Sequence, residues 1–119
     1  MKFIHVGVGG FGQHWANILK QTPEVELVGL VDISDTALQA TCDKHGYRPS
    51  ICFHDLKKAI RKTKPEAVVS STPPVRHKVD VITALRAGLN VISEKPMADT
   101  LSNCNAMLKV ARETGKLYV

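Results

Sequence analysis

The chain has 119 residues, 44% of them hydrophobic and 23% charged, which is the length and balance of one ordinary globular domain with a sizeable core. No apolar run approaches the ~20 residues a membrane span requires, and the short apolar stretch after Met1-Lys2 ends at Gly7, too soon for a signal-peptide core. The expectation is a cytoplasmic protein with no membrane partner. The formal charge of +5 raises the question of nucleic acid. However, the densest basic stretch, Lys57, Lys58, Arg61, Lys62 and Lys64, falls on one short expected helix with few aromatics nearby, which reads as a solvated face. Cys42, Cys52 and Cys104 are odd in number and lack CxxC spacing, so they read as reduced thiols, and no metal site is expected.

In chain order, Lys2–Val8 reads as a buried strand bounded by glycines. Phe11, Trp15, Ile18 and Leu19 then recur at helical spacing, and Thr22-Pro23 stops that helix. Val25–Asp32 is the second strand. Ser34 can cap the next helix, whose apolar face is Ala37, Leu38, Thr41, Cys42 and His45, with Gly46 placed to end it. A weak third strand near Ile51–Phe53 precedes a helix from Asp55 to Lys62. Ala67–Ser71 is the fourth strand, Val75–Ala87 a helix closed by Gly88, and Leu89–Ser93 the fifth strand. Asp99 or Thr100 can cap a last helix carrying Leu101, Cys104, Leu108 and Ala111, closed by Gly115 and followed by an apolar strand, Leu117–Val119. Near-continuous apolar strands alternating with helices predict an α/β, doubly wound parallel sheet in a single domain over residues 1–119. A final strand that stops mid-stride predicts a fragment of a longer protein.

Gly7-Val8-Gly9-Gly10-Phe11-Gly12 matches GxGxxG, directly after a strand and at the opening of a helix. Gly7 permits the tight turn, Gly9 lets the backbone approach a pyrophosphate, and Gly12 allows close packing of helix on strand. The helix N-terminus then offers N–H donors and a positive dipole end to phosphates. Asp32 lies 20 residues after Gly12, at the end of the second strand, where a carboxylate can accept bonds from both ribose hydroxyls. Its charge would repel a 2′-phosphate, and the following Ile33 and Ser34 bring no basic group, so NAD is favoured over NADP. A lone histidine, such as His5, His14, His45 or His54, reads as a surface or packing residue.

Two further loops end strands on the ligand-binding side of such a sheet: Ser71-Thr72-Pro73-Pro74, followed by His77, and Glu94-Lys95-Pro96. Lys95 is there an ammonium group beside a carboxylate at the mouth of the crevice, and the Lys95–Pro96 bond is a candidate for the cis form. A plain surface ion pair is the other reading of the same residues.

Taken with Ala87-Gly88-Leu89-Asn90-Val91 ahead of Glu94-Lys95-Pro96-Met97-Ala98, these stretches resemble the N-terminal domain of the glucose–fructose oxidoreductase, inositol dehydrogenase and rhizopine-catabolism (Gfo/Idh/MocA) oxidoreductases over essentially all of the chain. The resemblance implies a cofactor domain of an enzyme that moves hydride between NAD, less readily NADP, and a sugar, cyclitol or related hydroxyl or carbonyl compound. It implies that Lys95 sits near both the nicotinamide ribose and the substrate hydroxyl, where it touches the cofactor and orients and polarises the reacting oxygen, that Glu94 holds the lysine or the nicotinamide ribose, and that Thr72 and Pro73 flank the nicotinamide half. Ser71 and His77 go with that group of cofactor-side residues, together with Gly10, Phe11 and Ile33, although a structural role for His77 is equally open. The family's C-terminal substrate domain, with its aspartate–histidine pair, has no counterpart here. The fragment alone is therefore expected to be inactive, and to self-associate through the edge beside its last strand. A non-catalytic dinucleotide sensor is the alternative, which has no use for Lys95; a methyltransferase leaves the lysine–proline loop unexplained.

Overall fold

The computed structural model describes residues 1–119. Five strands form one parallel sheet: β1 (Lys2–Val6), β2 (Glu26–Val31), β3 (Cys52–Phe53), β4 (Ala67–Ser70) and β5 (Asn90–Ser93), in the order β3-β2-β1-β4-β5. Between them run α1 (Gly12–Gln21), α2 (Asp35–His45), α3 (Leu56–Thr63) and α4 (Pro74–Arg86), and α5 (Leu101–Thr114) follows the last strand. The Leu117–Val119 tail lies beside β5 as a short sixth element. The Val91 N–H donates to the Leu117 carbonyl at 2.9 Å and the Val119 N–H to the Val91 carbonyl at 3.0 Å.

The strands are apolar on both sides because both faces of the sheet are covered. Ile4, Val6, Val68 and Val91 pack against Leu56 and Ala59 of α3, Val81, Ala84 and Leu85 of α4, and Met107 and Val110 of α5. On the other face Phe3, Ala67 and Val69 meet Leu19 of α1, and Val8 and Leu30 meet Leu38 and Cys42 of α2. Strand order reverses between β1 and β4, so a crevice opens at the carboxyl ends of those two strands.

Local chemistry sets the helix boundaries. Ser34, Asp55 and Thr100 each accept an N–H three residues on, capping α2, α3 and α5. Gly46 and Gly115 end α2 and α5 in the left-handed conformation. Helix α4 starts on Pro74, one residue earlier than the sequence pattern suggests, because a proline at the first helical position lacks only an N–H that would go unpaired anyway.

Two expected faces are rotated. On α1 the buried residues are Gly12, Ala16 and Leu19, whereas Phe11 and Ile18 are exposed. On α5 Met107 and Val110 are buried, and Leu101 and Leu108 point outward. In each helix the row that faces the sheet is set by the strands beneath it, which take Ala16 and Leu19 of α1 and Met107 and Val110 of α5. The first strand also ends two residues short of Val8, because the chain turns at Gly7 with φ +83°.

Candidate functional site

The glycine turn sits where the strand order reverses. A Cβ on Gly7 would lie 2.7 Å from the Thr72 backbone nitrogen, and one on Gly12 would overlap the Gly7 carbonyl oxygen. The first and last glycines are therefore demanded by the close approach of strand β1, helix α1 and the loop after β4. Helix α1 has no side-chain cap, and the backbone N–H groups of Gly9, Gly10 and Phe11 have no acceptor within the protein. Three consecutive free donors at a helix N-terminus make a seat for an anion.

These residues line a cavity of about 660 Å³ that also reaches Asp32, Ile33, Ser71, Thr72 and Pro73. Asp32 does two jobs there. Its Oδ2 accepts the Val8 N–H at 2.9 Å and its Oδ1 accepts the Ser34 N–H at 2.9 Å, so the carboxylate ties the glycine turn to the end of β2. Each oxygen retains a lone pair for a ribose hydroxyl. No side chain fills the glycine turn, and the donor set and the acid stand in one cavity, so the residues present fit a dinucleotide.

Ser71 is braced from below. Its hydroxyl lies 2.7 Å from the Gly7 carbonyl oxygen and 2.7 Å from Nε2 of His5, a ring with no solvent exposure. The carbonyl can only accept, so the Ser71 hydroxyl donates to it, and His5 Nε2 carries the proton donated to Ser71. Burial drives the His5 pKa down to about 4, against a smaller opposing pull from Asp32.

His77 does not reach the cavity. It is fully buried, with Nε2 2.7 Å from the Thr72 carbonyl oxygen and Nδ1 3.0 Å from that of Pro96 and 3.2 Å from that of Met97. It clasps the loop after β4 to the loop after β5, which is a structural placement and removes it from direct contact with a ligand in that cavity.

Glu94 and Lys95 lie at the end of β5 in a separate, shallower depression with Ser93, Met97, Leu108, Tyr118 and Val119. Glu94 takes the Trp15 indole N–H on Oε1 at 2.7 Å and the Lys95 backbone N–H on Oε2 at 3.2 Å. It thus grips the main chain of Lys95, and the exposed ammonium group forms no ion pair. The surface ion pair considered for these two residues is absent. The Lys95–Pro96 bond is cis.

Among the residues lining the main cavity, Leu56, Arg76 and Asp80 carried no site reading in the sequence, and His54 was read as a surface or packing residue. His54 Nε2 sits 2.6 Å from Asp35 Oδ1, with both groups exposed. Asp80 is almost fully buried and accepts the Thr72 hydroxyl at 2.8 Å, with Arg76 Nη2 3.4 Å away. Burial pushes its carboxyl above the usual range, against the Thr72 hydroxyl and the Arg76 and His77 charges. An arginine four residues before an aspartate on a helix was the only sequence signal for this pair.

Fold, switch point and glycine turn together define a dinucleotide-binding Rossmann domain. A family model described as an oxidoreductase family with an NAD-binding Rossmann fold matches residues 1–119, and the chain belongs to that Gfo/Idh/MocA family. It is 30% identical over 115 residues to 4-carboxy-2-hydroxymuconate-6-semialdehyde dehydrogenase of a Sphingobium species, covering 97% of this chain and 36% of that protein. It is 29% identical to inositol 2-dehydrogenase of Rubrobacter xylanophilus, covering 96% and 32%. Among solved structures it superposes on the WlbA dehydrogenase of Bordetella pertussis, solved with NADH and UDP-GlcNAcA, with a TM-score of 0.87 and 31% identity over 98% of this chain and 34% of the other. The chain spans about a third of the length of the relatives it matches. No helix is long and apolar enough to cross a membrane.

Proposed function

We propose that this chain is the cofactor half of a two-domain enzyme that moves hydride between NAD and a sugar, cyclitol or related hydroxyl or carbonyl compound. The observation that carries the proposal is the meeting of three unpaired N–H donors, at Gly9, Gly10 and Phe11, with Asp32 in one cavity. The donors suit a pyrophosphate and the acid suits an unmodified ribose. In this reading Gly7 and Gly12 hold the turn, Ile33, Ser71, Thr72 and Pro73 complete the cofactor wall, and Glu94 fixes the backbone of Lys95. The relatives' names support a sugar-like substrate: one acts on inositol, and another was solved with a nucleotide sugar.

Bound NAD supplies the hydride acceptor. Lys95 supplies a free ammonium group at the end of β5, on the ligand-binding edge of the sheet. Its task is to orient and polarise the substrate oxygen and to assist the movement of its proton. The chain spans about a third of its relatives' length, and the family resemblance puts the substrate-binding residues in the remainder, so in this reading the 119 residues bind cofactor without turning over substrate. We further propose that it self-associates through the edge beside its last strand, where Leu108, Leu117 and Val119 are exposed.

Calorimetric titration of the chain with NADH and NADPH tests the cofactor assignment. NADH binds at least ten-fold more tightly if Asp32 meets the ribose; equal or reversed affinities reject that role. Lys95 is tested separately in the longer protein. Lys95→Ala loses on the order of 10²-fold or more in turnover while NADH affinity stays within two-fold, as expected for a general acid–base group. Unchanged turnover removes Lys95 from the chemistry and favours a dinucleotide sensor.

A further inference from the structure

We infer that Arg76, held by Asp80, forms one side of the slot for the adenine base and is a determinant of dinucleotide affinity. This rests on the assignment of the main cavity to the cofactor. With the pyrophosphate on the glycine turn and the adenosine ribose on Asp32, the base must lie within one ribose's reach of that carboxylate. The same cavity is lined by Ile33, which directly follows Asp32, and by His54, Leu56 and Arg76.

Two features favour a base over a further phosphate. Ile33 directly follows Asp32 and is 92% exposed, a large branched apolar chain left in water where a flat aromatic ligand would cover it. Arg76 already has an anionic partner: Asp80, its side chain 3% exposed, faces one Nη at 3.4 Å. Asp80 is in turn fixed through its other oxygen by the Thr72 hydroxyl. A guanidinium whose edge is tethered keeps its planar face for stacking, and arginine serves both functions at once. A 2′-phosphate would instead have to compete with Asp80 for the charge and sit beside Asp32.

The test is titration of the 119-residue chain, wild type, R76A and R76K, with NADH, ADP-ribose and NADPH at low and high salt. Arg76 is 59% exposed, but R76A leaves the buried Asp80 without its cation, so thermal unfolding of each variant is recorded first and affinities are compared where all three chains are folded. Stacking predicts that R76A weakens NADH and ADP-ribose by the same factor, roughly 3- to 30-fold, at either salt concentration. It also predicts that R76K, which lacks the plane, recovers little. Unchanged NADH affinity in R76A overturns the inference. So does a loss confined to low salt and restored by R76K, which is the signature of phosphate pairing, or a loss much larger for NADPH than for NADH, which places Arg76 on the 2′-phosphate. If the wild-type chain binds neither NADH nor ADP-ribose, the cofactor assignment of the cavity itself fails, a result distinct from failure of Arg76 alone.

Discussion

His5 shows how much a single buried side chain can decide. It sits under the glycine turn, donates through Nε2 to Ser71, and leaves Nδ1 buried without a partner. Adding a proton at Nδ1 would place a charge in that apolar surrounding, which is why its pKa falls from 6.5 to about 4. The unfolded chain binds the proton more readily than the folded one, so this histidine favours folding above about pH 6.5. That contribution is lost as pH falls from 6.5 towards 4, about 3 kcal/mol in all. Denaturant unfolding at a series of pH values measures it: the wild type loses stability across that window, and His5→Leu loses distinctly less. Equal slopes would mean that other groups carry the acid sensitivity. None of this was legible beforehand, because a histidine in a strand looks the same in sequence whether it faces water or the core. Arg76, Asp80 and the Trp15–Glu94 bond were hidden for the related reason that their meaning arises only when distant segments meet.

Elements were far more legible than individual partners. Every α-helix and strand was expected, because apolar periodicity, capping residues and glycine stops are local signals written within a dozen residues, whereas the 3-10 turn at Pro49–Ile51 was not. The glycine turn and Asp32 were readable for the same reason: their spacing is fixed by the β1–α1–β2 unit that positions them. Which row of a helix faces the sheet was less readable. Leu101 and Leu108 are larger and more apolar than most of their neighbours on α5, yet Met107 and Val110 are buried. The direction of a helix face is set by the sheet beneath it, and hydrophobicity along the helix alone does not encode that angle.

At the scale of the whole molecule, both faces of the sheet are covered, and the edge beyond β5 carries the Leu117–Val119 tail. The Leu117–Val119 tail adds only a short pairing beside β5, and Leu117 and Val119 stand exposed, with Leu108 beside Val119. Unpaired strand edges and contiguous apolar surface both favour association. Light scattering over a concentration series therefore gives a rising mean mass for this chain, and substitution of Leu117 and Val119 by lysine returns it to a monomer. A constant monomeric mass in the unsubstituted chain excludes this interface.

The chain holds a single tryptophan, and that residue lies on α1, the helix that opens at the glycine turn, with its indole hydrogen-bonded to Glu94 in the lysine loop. Its emission overlaps the absorption of a reduced nicotinamide ring, so an unlabelled sample carries its own donor for resonance energy transfer. One fluorophore thus reports two events separately: quenching by the reduced but not the oxidised dinucleotide tracks occupancy, and a spectral shift common to both tracks the bond to Glu94.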